Sequence, residues 1–229
     1  MQPHVKFQTN IDLDIQMTSQ FLGLSIGGIS FDDSIYGPNP DLKDVDVKDE
    51  QALTAYFENK YQKLMPTLIA KVEEYQDIWD KIENDYFAHI QKVFHDAEFP
   101  AGRYIADLSI NDCNPRFLED KTFQVFYQTK TPTRTVSHEL THFIFYDYTA
   151  AKFPELFADQ DPNSGVYWKL AELFNNVILS QPEFKKLFNS TGDEAYPEHT
   201  LDYLELATLW EQTHDIDIFI PAAFAQLNR

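Results

Sequence analysis

The sequence holds one cysteine, no long hydrophobic run and few cationic side chains, and each shortage removes a class of function. Cys113 stands alone in 229 residues, so no internal disulfide can form, which fits a reducing compartment and points to the cytoplasm. No stretch approaches the ~18 consecutive apolar residues of a membrane span, and no membrane partner is expected. The opening Met1-Gln2-Pro3-His4-Val5-Lys6 lacks the basic and apolar regions of a secretory leader. Only 18 Lys and Arg face 37 Asp and Glu, a formal charge of -19. Phosphate backbones and anionic membranes would be repelled, so nucleic-acid binding is not expected. The same charge would steer cationic peptides at long range, although its first consequence is solubility.

What the chain does have is apolar surface. It is 43% hydrophobic and 15% aromatic, with 19 Phe and 12 Tyr, enough to offset the entropy of ordering a core. One compact unit of two lobes is expected, the first over 1-148 and the second, helical, over 149-229.

Ile11, Leu13, Ile15 and Met17 alternate with polar neighbours, a two-residue period that predicts a half-buried strand. From about Asp49 to Ala97 the period changes. Leu53, Phe57, Tyr61, Leu64, Leu68, Val72, Tyr75, Trp79, Ile82, Tyr86, Ile90 and Val93 recur at steps of three and four, which predicts a long amphipathic helix that Pro66 divides. Tyr104–Ile110 and Thr122–Gln128 are short and rich in aromatic and branched residues, with the turn-like Asn111-Asp112-Cys113-Asn114-Pro115 between them. They predict two antiparallel strands. Thr131-Pro132 then starts a helix to about Tyr148, and further helices are predicted near Gly165–Ser180, Pro182–Asn189 and Thr200–Thr213.

The chemistry lies in His138-Glu139-Leu140-Thr141-His142. Residues four apart on a helix share a face, so both imidazoles can reach one ion. Zinc takes histidine nitrogen at about 2.0 to 2.1 Å, and a catalytic site uses three protein ligands with one position left for water. Zinc lowers the pKa of that water towards ~7 and polarises a carbonyl, while Glu139, next to His138, can take the proton. With seven His in the chain, random placement yields H-E-x-x-H roughly 0.01 times, so accident is a poor explanation.

The third ligand has to come from elsewhere. A metzincin would carry Gly and His three and six residues after His142, but Phe145 and Tyr148 stand there. Glu172 is the preferred ligand: Leu170, Leu173, Phe174, Val177 and Ile178 bury its helix, and a carboxylate on that surface needs a partner. Glu155, Asp159 and Asp161 lie near a loop where carboxylates are ordinarily solvated. Asn176, one turn after Glu172, is placed to support a ligand by hydrogen bonding.

On these residues the chain resembles the gluzincin branch of zinc metallopeptidases, over roughly Thr122–Leu179. The resemblance implies an α+β, zincin-like fold: a small, mostly antiparallel sheet with a long backing helix, an active-site helix and a mainly helical C-terminal lobe. It implies a peptide or protein substrate lying along Thr122–Gln128 as an edge strand, hydrolysis with Glu139 as general base, and zinc on His138, His142 and Glu172. It also implies a downstream His or Tyr that stabilises the oxyanion. His199 is preferred for that role over Tyr196, Tyr203 and His214, because Pro197-Glu198-His199-Thr200 precedes a predicted helix. The gap from His142 to Glu172 is longer than in thermolysin-like members, and their Asn-Glu-x-x-Ser/Ala-Asp signature is absent. Two alternatives stand beside this reading. One is a deformylase-like amide hydrolase with Cys113 as ligand; the other is a non-enzymatic helical interaction protein with structural zinc or none.

Overall fold

Side-chain caps and acidic first turns set where many of the helices begin. The computed structural model describes residues 3–26, 28–189 and 199–229. Those residues form ten α-helices, a four-stranded mixed sheet and a two-stranded hairpin. The architecture is mixed α and β, mostly helical. The chain falls into two compact units, one of residues 3–81 and 102–136, the other of residues 82–101 and 137–229. Both are discontinuous in sequence, so the expected division at 148 is not the one observed.

In the first unit the sheet order is β1-β4-β6-β5, with β1 at Val5–Thr9, β4 at Tyr104–Ser109, β5 at Arg116–Phe117 and β6 at Thr122–Phe126. β1 pairs parallel with β4, and β4 parallel with β6. The expectation of antiparallel pairing is therefore wrong for β4 and β6. After β4 the chain passes to the far side of β6, lays down the two residues of β5 antiparallel to it, and returns. Asn114 turns there in the left-handed region at φ 47°, and its side-chain oxygen accepts from Phe126 N at 2.8 Å. Gln124 N donates to Pro115 O at 2.9 Å. Residues 114–117 thus cover the outer side of β6, so β6 does not offer the free edge that a substrate rail needs.

The segment expected as a first strand is helix α1, Ile11–Phe21. Asn10 caps it by accepting from Leu13 N, Asp12 and Asp14 fill its first turn, and its buried residues Asp14, Met17 and Thr18 follow helical spacing. The hairpin strands β2 (Ser25–Ile26) and β3 (Ile29–Ser30) follow, then α2 (Phe31–Tyr36) and a 3-10 turn over Pro40–Asp44. Helix α3, Glu50–Asp80, starts on Asp49, whose carboxylate accepts from Gln51 N and Ala52 N. It runs unbroken through Pro66; the division that Pro66 was expected to make falls instead at Lys81-Ile82. Leu53, Phe57, Leu68, Tyr75 and Trp79 are its buried stripe, and Gln76 clips it to β1 by accepting from Phe7 N and donating to Val5 O, both at 3.0 Å.

The second unit holds α4 (Glu83–Val93), α6 (Pro154–Phe157), α7 (Gly165–Leu179), α8 (Pro182–Phe188), α9 (Thr200–Thr213) and α10 (Ile216–Leu227). It also holds the part of α5 (Pro132–Lys152) from Ser137 onward. Its core is aromatic, with Phe94, Phe145, Phe174, Phe184 and Phe219 each at or near zero exposure. No helix among the described residues is long and apolar enough to cross a membrane.

Candidate metal centre

α5 and α7 lie antiparallel. Tyr167, early in α7, meets Thr149 late in α5 at 2.7 Å between hydroxyl oxygens, whereas Asn175, about two turns further along, donates to His138 O at 2.9 Å. Phe145 and Phe174 pack between these points with ring centroids 5.0 Å apart. The i, i+4 spacing of His138 and His142 stacks them on the face of α5 that meets α7, and Glu172 projects from α7 between them.

The three side chains converge. His142 Nε2 lies 3.1 Å from His138 Nε2 and 3.3 Å from Glu172 Oε1, and His138 Nε2 lies 3.1 Å from Glu172 Oε2. A tetrahedral ion with bonds of ~2.0–2.1 Å holds its ligands ~3.3–3.4 Å apart, and these donors, with one carboxylate oxygen towards each imidazole, stand close to that spacing. Their chemistry fits as well. Two imidazole nitrogens that face each other and a carboxylate form the neutral and anionic donor set that suits zinc. These three form the one His, Cys, Asp or Glu group around His138 among the described residues, with no fourth such ligand.

Burial around the centre is uneven. His142 is 0% and Glu172 2% exposed, while His138 keeps 22%. Glu139, the residue after His138, is buried at 5%. Three further side chains hold the frame, and sequence reasoning missed them. Tyr86 of α4 donates to Ser137 O and meets Thr141 Oγ1, both at 3.0 Å, which pins the helical turn that carries His138. Tyr146 stacks on His142 with centroids 5.9 Å apart and planes 16° apart, and its hydroxyl donates to Pro162 O at 2.7 Å. Asn175 makes the bond into α5, while Asn176, the residue expected to lend support, is buried next to it. Tyr146 lies four residues after His142 and Asn175 three after Glu172, so helical spacing held the signal.

The other described candidates fall outside the group of His138, His142 and Glu172 or carry other duties. Glu155, Asp159 and Asp161 are exposed, and Asp161 is spent in a turn, accepting from Asn163 N and Ser164 Oγ. Cys113 is half-buried, and burial followed by the charges of Asp112 and Asp14 pushes its thiol pKa up to about 12, which disfavours the thiolate a metal needs. His199 precedes α9 and sets its ring edge-on to Trp168 with centroids 6.2 Å apart. Tyr203 is buried in α9, and His214 ends that helix in the left-handed region beside Trp210. Tyr196 lies outside the described residues.

A second group, His95, Asp215 and Asp217, also brings ligand atoms together. Its oxygens are engaged otherwise: Lys152 pairs with Asp217 Oδ2 at 2.8 Å, Tyr148 donates to Asp217 Oδ1 at 2.6 Å, and Asp215 caps α10. No protein-family model, curated protein or solved structure matches the chain.

Proposed function

We propose that the protein is a zinc-dependent metallopeptidase of gluzincin type that hydrolyses peptide bonds, acting in the cytoplasm that its lone thiol suits. The observation that supports this most is the meeting of His138, His142 and Glu172, drawn from two helices, at spacings of 3.1 to 3.3 Å. Bound at these atoms, zinc supplies Lewis acidity that acidifies water and polarises the carbonyl under attack. Glu139 takes a proton from the water as its oxygen adds to the carbonyl carbon, and returns it to the nitrogen as the C–N bond breaks. Its low exposure of 5% keeps the carboxylate away from bulk water, where proton transfer would be less directed. Three candidate ligands rather than four among the described residues favour a reactive centre over a closed structural one. His199, whose ring meets Trp168, the residue one helical turn before Glu172, is the described residue assigned to the oxyanion.

Zinc content by elemental analysis and peptide-library cleavage test the reading together. The wild type should bind one zinc and cleave. Glu139→Gln should keep the zinc and lose about 10²- to 10⁴-fold in kcat, the range for a lost general base. Equal cleavage by the two proteins, or absence of bound zinc, would sink the proposal.

A further inference from the structure

A metal needs each imidazole nitrogen aimed at one point, yet rotation about the last side-chain bond of histidine is soft, so packing has to fix the plane of the ring. The two histidines meet this need differently. His138 sits on a turn held by bonds to the main chain, from Tyr86 to Ser137 O and from Asn175 to His138 O. His142 is fully buried and packs against two rings: His138 lies edge-on to it at 4.7 Å and 81°, and Tyr146, one turn further along α5, lies nearly parallel to it at 5.9 Å and 16°. Tyr146 cannot tilt alone. Its hydroxyl donates to Pro162 O at 2.7 Å, and Tyr167 of α7 meets its ring edge-on at 5.0 Å and 87°. Tyr167 is itself held, stacked on Phe157 at 4.3 Å and 18° and bonded at its hydroxyl to Thr149. Pro162 stands in the turn before α7, where Asp161 accepts from Asn163 N and Ser164 Oγ at 2.9 and 2.7 Å. Side chain and main chain thus close a circuit from His142 through Tyr146, Pro162 and α7 to Glu172, whose Oε1 lies 3.3 Å from His142 Nε2.

We infer that Tyr146 is a positioning residue of the metal centre: its ring sets the plane of the His142 imidazole, and its hydroxyl ties that plane to the segment that brings in Glu172. The inference rests on the zinc site of the reading above. Tyr146 is not a ligand and acts through His142. Offset stacking of two flat rings favours one relative orientation, which an aliphatic side chain of similar bulk does not impose. Leucine in its place would keep much of the apolar volume but lose both the flat face and the hydroxyl, whereas phenylalanine would lose the hydroxyl alone. The partner of a metal ligand controls how firmly that ligand is aimed, so the loss should register in the metal before it registers in the fold.

The test uses the full chain, first with zinc or with cobalt, whose visible absorption reports ligand geometry, and then without metal but with isotope-labelled histidine for NMR. Tyr146→Leu should bind zinc about 10- to 100-fold more weakly, the range for a lost partner of a metal ligand, and should shift the cobalt bands. Tyr146→Phe should recover most of the affinity. In the metal-free chain the His142 ring protons should lose their ring-current shift in Tyr146→Leu and keep it in Tyr146→Phe, while those of His89, packed on Phe184, stay in place. Equal zinc affinity and identical cobalt bands in wild type and Tyr146→Leu overturn the inference and leave the zinc site standing. If the wild type binds neither metal, the zinc site fails and the histidine spectra decide: a His142 shift lost in Tyr146→Leu supports the positioning role, and an unchanged His142 overturns it. Should Tyr146→Leu not fold, Tyr146→Met, which also lacks the flat face, is read against the same outcomes.

Discussion

Glu172 and Asp14 are both fully buried carboxylates, and their surroundings give them opposite tasks. Glu172 meets two imidazoles, so removal of its charge should release the ion. Glu172→Gln should weaken zinc binding by at least about 10-fold, read by competition with a chromophoric chelator, and unchanged affinity would remove Glu172 from the ligand set. Asp14 instead lies under the sheet of the first unit and accepts from Ser109 Oγ, Gln124 Nε2, Tyr61 Oη and Ile110 N. Burial outweighs these four donors and raises its pKa to about 6. Because the folded state then binds the proton more tightly than the unfolded chain does, stability falls as pH rises from about 4 to about 6. Asp14 alone accounts for about 3 kcal/mol over that window. Urea unfolding at stepped pH should show that loss in the wild type and a flatter profile in Asp14→Asn; parallel profiles would mean that Asp14 is ionised throughout.

At the scale of elements, α3 carries a proline that it does not need for shape. Pro66 is exposed in mid-helix, lacks an amide donor and crowds the preceding turn. Pro66→Ala should stabilise the protein by about 1–3 kcal/mol, seen as a higher urea midpoint at unchanged slope. A lower midpoint would show that the proline rigidifies the unfolded chain more than it strains the helix. The same element shows where sequence reading reaches its limit. Its apolar stripe was legible because burial imposes a period of 3.6, but no proline or glycine announces the break at Lys81-Ile82. α1 was misread because one of its buried positions is an aspartate, Asp14, while the half-exposed Ile11, Leu13 and Ile15 happen to alternate. The Asn10 cap and the acids behind it were the better signal. Parallel pairing of β4 and β6 was hidden for another reason: a short turn suggests a hairpin, and only the two residues of β5 reveal that the chain crosses to the far side. The meeting of His138, His142 and Glu172 was legible because its logic is local on each helix. i, i+4 spacing makes a pair, and an acid on an apolar face asks for a partner. Tyr86 and Tyr146 were not, since a buried tyrosine looks like any core aromatic until its hydroxyl finds a carbonyl.

At the scale of the molecule, two terms of opposite origin act on stability. A charge of -19 repels itself, and salt screens that repulsion over about 10 Å at 0.1 M. Zinc held as proposed would bind only where α5 and α7 have already met, so it would stabilise by mass action. At a hundred times its Kd it should add about 3 kcal/mol and raise Tm by about 5–10 °C. Thermal melts with zinc and with chelator measure this, and superimposable curves would exclude a native-state zinc site. His142→Ala should erase the difference between the two melts.

Both units are discontinuous, and that has a consequence for synthesis. The ribosome emits residues 82–101 well before residues 137–229, with 102–136, which belong to the other unit, in between. α4, whose Tyr86 pins the turn that carries His138, therefore leaves the exit tunnel with its partners still unmade. Phe87 finds Phe99 within its own segment, whereas Phe94 gains Tyr148 and Phe174 only once α5 and α7 have been made.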